Sequence, residues 1–275
     1  MSEYVKFLPV EEAIGQQYSD VVVIRPPESV SEEELSAFVS QLSLRGFLPL
    51  VQPHAGTVGY DELETGWYPT DRFREVGSWI FDHSIDELDD VIDFLRRILR
   101  YDQITSIERK IIRVPEAAGG NYVYHSPFKT FIYAANRISL PWDISLRMGI
   151  EGWNLSPVDT SNTSLNGYEE DLDFLLSSPF LGRDGNLHVI SASSFIDKVP
   201  PLFLYHEIPD SEAALGGCNI ADCQNGSLLI APHPDDAPTT FGILQEFAAA
   251  DIMTTPRNFL DGGGGPRCSI SSFSL

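Results

Sequence analysis

Gly262-Gly263-Gly264-Gly265-Pro266-Arg267-Cys268-Ser269, near the end of the 275-residue chain, is the stretch from which the rest of the sequence is best read. Consecutive glycines give the backbone access to positive φ and let other groups come close to it. The cysteine that follows is presented by main chain rather than by a packed helix face. That placement suits a thiolate that must reach an electrophilic carbon, the thiolate being the reactive form and sensitive to local charge. A flexible tail with an uncommitted thiol is compatible with the same residues, so the decision depends on what the remaining chain supplies.

Working back from this stretch, residues 226–231 read as a strand, 235–250 as a helix and 252–254 as a short strand, with Asp235 and Asp236 as caps and Pro238 in the first turn. The same order opens the chain. Residues 20–24 are a β-branched run closed by Arg25-Pro26-Pro27. Ser31 and the acids Glu32, Glu33 and Glu34 start a helix whose Leu35, Phe38, Val39 and Leu42 share one face, and residues 47–51 return as a strand. Residues 78–81, 84–99 and 110–114 repeat the pattern, the helix carrying Leu88, Val91, Ile92, Leu95, Ile98 and Leu99 on one side. A hairpin is expected over 121–124 and 130–134, a helix over 167–177 and a strand over 187–190. Strand–helix–strand modules at intervals of about 50 residues imply one α/β domain of similar units spanning residues 1–275. Residues 137–166, with Pro141, Trp142, Trp153 and Pro157, fit no single period and read as an insertion.

Composition narrows the function classes. With 18 Lys and Arg against 40 Asp and Glu, the formal charge is −22, which repels nucleic acid and anionic membrane and favours a cationic small molecule. No window approaches the roughly 18 apolar residues of a membrane span, and the first ten residues do not resemble a signal peptide. Three cysteines without zinc spacing, Cys218, Cys223 and Cys268, read as thiols in a reducing, cytoplasmic setting, although a local Cys218–Cys223 disulfide has a workable spacing. Oligomeric state stays open.

Residues 263–269 resemble the C-terminal nucleophile motif of arginine deiminases, in the guanidino-group-modifying, pentein superfamily. Two further segments are similar to that family: Asp71-Arg72-Phe73 followed by Val76-Gly77, and Asn186-Leu187-His188-Val189. The resemblance implies a five-bladed α/β propeller of ββαβ units, nearest to arginine deiminase and dimethylarginine dimethylaminohydrolase. It implies Cys268 as nucleophile, His188 as general acid/base and Asp71 as a guanidinium anchor, with no cofactor and no metal. Where the family carries Glu-Gly-Gly-Asp, this chain has Glu116-Ala117-Ala118-Gly119-Gly120-Asn121. Glu116 and Glu151 (in Ile150-Glu151-Gly152-Trp153-Asn154) are therefore the alternatives for a second guanidinium ligand, and Glu116 is favoured. Arg267 is a candidate for a substrate carboxylate or for holding the loop through a surface acid.

These residue types suit one reaction. Carboxylates fix the plane of a delocalised cation, a thiolate adds to its carbon, and a proton-shuttling group frees the amine and then activates water. The products of that sequence make the enzyme a guanidine or amidine hydrolase; an amine in place of water makes it an amidinotransferase; loss of the shuttle leaves a binding protein. Each residue alone also has a plainer place, Asp71 in an exposed turn and His188 at the head of a strand. The order aspartate, histidine, C-terminal cysteine favours the joint functional reading.

Overall fold

The structure is a computed structural model and describes residues 18–27, 29–51, 73–83, 87–114, 119–163, 165, 171–223, 226–260 and 265–275. In chain order, β1 (Asp20–Ile24), α1 (Glu32–Leu44) and β2 (Phe47–Val51) are followed by β3 (Phe73–Val76), β4 (Trp79–Asp82), α2 (Glu87–Ile98), α3 (Tyr101–Lys110) and β5 (Ile111–Arg113). Next come β6 (Tyr122–His125), β7 (Thr130–Ala134), α4 (Trp142–Ile150) and β8 (Asn154–Val158). A short α5 (Leu172–Leu175) precedes β9 (Phe180–Leu181), β10 (Leu187–Ala192), the 3-10 turn Ser193–Lys198 and β11 (Leu204–Ile208). The chain continues through α6 (Asp210–Ala213), β12 (Ala221–Cys223), β13 (Leu228–Ala231), α7 (Pro238–Phe247) and β14 (Asp251–Thr254), and ends with α8 (Pro266–Ser269) and β15 (Ile270–Ser274).

These strands form five three-stranded sheets, ordered β15-β1-β2, β3-β4-β5, β6-β7-β8, β9-β10-β11 and β12-β13-β14. Within each, the first strand runs antiparallel to the second and the second parallel to the third. Parallel neighbours need a crossover, which a helix supplies in four sheets and the 3-10 turn in the fourth along the chain. The C-terminal strand closes the ring: Ile270 pairs with Ile24 and Ser274 with Asp20. The result is a five-bladed α/β propeller of ββαβ modules.

Local signals account for several elements. Ser31 Oγ accepts from the Glu34 amide at 3.3 Å and donates to the Glu34 carboxylate at 2.7 Å, and Leu35, Phe38, Val39 and Leu42 are buried beneath α1. Leu88, Val91, Ile92 and Leu95 bury one side of α2 in the same way. Each such side chain contributes about 2 kcal/mol by leaving water.

Other elements differ from the sequence expectation. Helix α3 was not anticipated, and among the described residues of 167–177 only α5 is helical. The stretch 137–166 is not an insertion: it holds α4 and β8, the helix and third strand of a regular module. Its period is blurred because Trp142, Leu146 and Ile150 are exposed on α4 while Ile144 and Met148 are buried. Pro157 is tolerated because β8 is an edge strand.

Helix α7 begins at Pro238, and its N-cap, Ala237, offers no side chain. The buried Glu212 carboxylate instead accepts from the amides of Thr239 at 3.2 Å and Thr240 at 2.7 Å. Asp235 lies outside, exposed and paired with Arg257. Glu212→Ala is accordingly expected to lower unfolding stability in urea by about 2 kcal/mol, whereas Asp235→Ala changes it by less than about 0.5 kcal/mol. Equal effects in the two variants would remove Glu212 as the capping group.

Candidate active site

The first strands of the modules surround the propeller axis. Strand β15 packs against both β3 and β12. A small polar cavity is lined by Arg74 of β3, Tyr124 of β6, Asp222 of β12 and Ser271 of β15, together with Arg267. Two positions before four of the inner strands stand Gly120 before β6, Ser178 before β9, Asn219 before β12 and Cys268 before β15; Ser178 lines the cavity and Asn219 meets Cys268.

Cys268 is 8 % exposed. Its backbone N–H donates to Asn219 Oδ1 at 3.1 Å, and Asn219 Nδ2 donates to its Sγ at 3.0 Å. On the other side the thiol faces Oδ2 of Asp173 at 3.5 Å. Asp173 projects from α5 and is fully buried among Leu172, Leu175 and Leu176. Gly265 is required here, since a Cβ on it would stand 2.4 Å from the Asn219 side chain.

Below the thiol the axis is cationic and aromatic. Arg267 is buried; Nη2 donates to the Tyr122 carbonyl, and its own carbonyl accepts from Arg74 at 3.4 Å. Burial, and secondarily the charge of Arg74, lower its pKa to about 10. Arg267 therefore ties α8 to β6 while its guanidinium lines the polar cavity. Arg74 lies over the rings of Tyr122 and Tyr124, at 5.4 and 5.9 Å from their centroids. Burial raises the Asp222 carboxyl to about 7 against the pull of both arginines. His83 donates from Nδ1 to the Val114 carbonyl at 2.9 Å, so its Nε2 accepts from the Tyr122 hydroxyl at 2.9 Å.

The structure does not bring His188 to Cys268. Strand β10 runs antiparallel to the inner strand β9, and His188 stands near its start, paired with Phe180. Its Nε2 bonds Asp184 in the hairpin at 2.9 Å and its Nδ1 meets His206 Nε2 at 2.8 Å, with the ring between Phe180 and Phe247. The strand end that reaches the site is Ala192, whose backbone bonds the Cys218 thiol. Four residues of strand, about 13 Å, separate it from His188.

Glu151 is also elsewhere. It is the exposed C-cap of α4, its carbonyl accepts from Lys129 Nζ at 2.6 Å, and Gly152 takes φ +83° just after it. The Glu-Gly pair there is a helix stop, which is why it mimicked a site motif. Asp71 and Glu116 lie outside the described residues. Asp173 and Asn219, which the structure does bring to the thiol, were not anticipated. The only local signal for Asn219 is its recurrence two residues before an inner strand, and for Asp173 an acid set in a leucine-rich run.

No model of a known protein family matches the sequence, and no curated protein matches it. Solved structures do. Dimethylarginine dimethylaminohydrolase from Pseudomonas aeruginosa, as a cysteine-to-serine variant complexed with citrulline, superposes with a TM-score of 0.57 at 11% identity over 93% of this chain and 100% of that one. An amidinotransferase of saxitoxin biosynthesis from Microseira wollei gives 0.58 at 10% identity over 93% and 94%. The N-terminal domain of a cyanobacterial arginine dihydrolase, bound to product, gives 0.53 at 11% identity over 93% and 97%. The chain has the pentein fold, the five-bladed propeller that these enzymes share.

The axis carries a testable pH dependence. The folded Asp222 carboxyl keeps its proton up to pH about 7, while the unfolded one loses it near its ordinary value of 3.8. Its contribution to stability is thus complete below that value and lost as pH rises to about 7. His83 and His125, held by burial at about 4 instead of 6.5, act oppositely and lose their contribution as pH falls through that window. Urea unfolding of Asp222→Asn should show a larger gain in stability from pH 4 to 7 than the native chain, because the opposing loss from Asp222 is gone and the histidine gain remains. Parallel curves would refute the assignment.

Proposed function

We propose that the chain is a cysteine-dependent enzyme acting on a guanidino or related amidine compound, with Cys268 as nucleophile and Asp173 as the carboxylate that holds the cation and carries the proton. The observation supporting this reading most directly is the thiol set between the Asn219 amide at 3.0 Å and the Asp173 carboxylate at 3.5 Å. Asp71 is retained as a further anchor: in sequence it stands two residues before β3, as Cys268 does before β15. Glu116 is the remaining candidate for a second carboxylate. His188 is not part of the proposal.

In the proposed reaction a guanidinium binds against Asp173, and its charge offsets the cost of forming a thiolate beside a carboxylate. The thiol proton passes to Asp173 as the sulfur–carbon bond forms. Asp173 then protonates the departing nitrogen, the carbon–nitrogen bond breaks, and a thiouronium ester remains on Cys268. Water adds to that carbon, giving one proton to Asp173; the carbon–sulfur bond breaks as the new hydroxyl group loses its proton to solvent, and the thiolate takes back the proton held by Asp173. A ureido compound and ammonia or an amine are released. The net charge of −22 favours approach of a small cation. Three free, buried cysteines are in keeping with a reducing, cytoplasmic setting. Among the described residues no helix is long and apolar enough to cross a membrane.

An amine acceptor in place of water makes the same chemistry an amidinotransfer. A binding role without turnover is the other reading, favoured by the departure of Glu116-Ala117-Ala118-Gly119-Gly120-Asn121 from the Glu-Gly-Gly-Asp motif of the family. A panel of free and N-substituted guanidines, assayed for ureido product and for ammonia or amine, distinguishes these. Cys268→Ala should lower turnover by about a thousandfold or more and Asp173→Asn by about a hundredfold, with His188→Ala within about threefold of native. Turnover surviving in Cys268→Ala would end the proposal. Guanidine binding by calorimetry with no product from the native chain would select the binding role.

A further inference from the structure

We propose that the side-chain amide of Asn219 is a catalytic residue that stabilises the Cys268 sulfur as a thiolate, and does not merely hold the loop that carries it. The inference rests on the reading of Cys268 as nucleophile.

Asn219 is fully buried and meets Cys268 twice. Its Oδ1 accepts from the Cys268 backbone N–H at 3.1 Å. A backbone N–H only donates, so this bond fixes which end of the amide is oxygen. Nδ2 is thereby turned to the sulfur, at 3.0 Å. The main chain of Asn219 is held as well: its N–H donates to the Gly216 carbonyl at 2.9 Å and its carbonyl accepts from the Arg267 amide at 3.4 Å. Close contact with Gly265 completes the seat. The amide can therefore not swing away when the sulfur changes charge.

A donor fixed on the charged form of an acid lowers its pKa, and a neighbouring carboxylate raises it. The Cys268 sulfur has one of each, Asn219 Nδ2 on one side and Asp173 Oδ2 on the other. The proton leaves toward Asp173, and the negative charge left behind is held by Asn219. A preorganised donor aimed at developing charge in a buried site does this without reorganising at the moment of reaction.

The test is the pH dependence of iodoacetamide alkylation of Cys268, followed from about pH 5 to 10 with the adduct mapped by peptide mass. This readout needs no turnover, so it stands or falls separately from the proposed hydrolysis. Cys218 and Cys223 are buried and pushed up, Cys223 to about 12, which keeps them silent in this range. Asn219→Asp keeps the oxygen that receives the Cys268 amide and replaces only the N–H donor. Its alkylation midpoint should rise by more than about one pH unit, with the rate at pH 7 falling at least about tenfold and the high-pH plateau unchanged. Asn219→Ala should shift the midpoint in the same direction by less, and it serves as the test if the aspartate variant does not fold. A midpoint equal to that of the native chain in the folded variant overturns the proposal and leaves Asn219 a scaffold for the backbone of Cys268.

Discussion

Closing five three-stranded sheets around one axis brings together the beginnings of strands that are far apart in sequence. Inner strands β12 and β15 lie side by side, so the residues two positions before them are brought together. Cys268 and Asn219 meet for this reason, and the reciprocal hydrogen bonds between them follow from it. The ring closes only because β15 pairs with β1, which makes the nucleophile candidate's position depend on contact between the two ends of the chain.

The interior of the ring is unusual for a protein core because it buries Arg74 and Arg267 side by side. Two cations in low dielectric repel, and the surroundings offset this with carbonyl acceptors, with the π faces of Tyr122 and Tyr124, and with acids at Asp173 and Asp222. Arg267 is thus committed to holding α8 against β6. That commitment steadies the neighbouring Cys268 while the guanidinium of Arg267 still lines the polar cavity. The mouth above is left with the thiol, the amide and the Asp173 carboxylate, a combination suited to a planar cation.

Much of the fold was legible locally. Ser31 with Glu34 capped α1, the four-residue spacing of Leu35, Phe38, Val39 and Leu42 gave its buried face, and the β-branched run of β1 gave a fully buried strand. Where legibility failed, the cause was tertiary. Helix α4 is apolar on two sides, so no single period describes it. Helix α7 is capped by Glu212, which belongs to another element, whereas Asp235, expected as a cap, is exposed and paired with Arg257.

The candidate site divides along the same line. The repeating modules gave an α/β domain of similar units, and the resemblance carried by residues 263–269 implied the propeller and a nucleophilic thiol near the C-terminus. Only the tertiary structure decided which residues face that thiol. His188 satisfied the sequence order yet lies near the start of β10 with Asp184 and His206, about 13 Å along the strand from Ala192 at its other end. Asp173, from a short helix with no motif of its own, occupies the place beside the sulfur, since proximity in a closed ring is set by strand direction and not by sequence pattern.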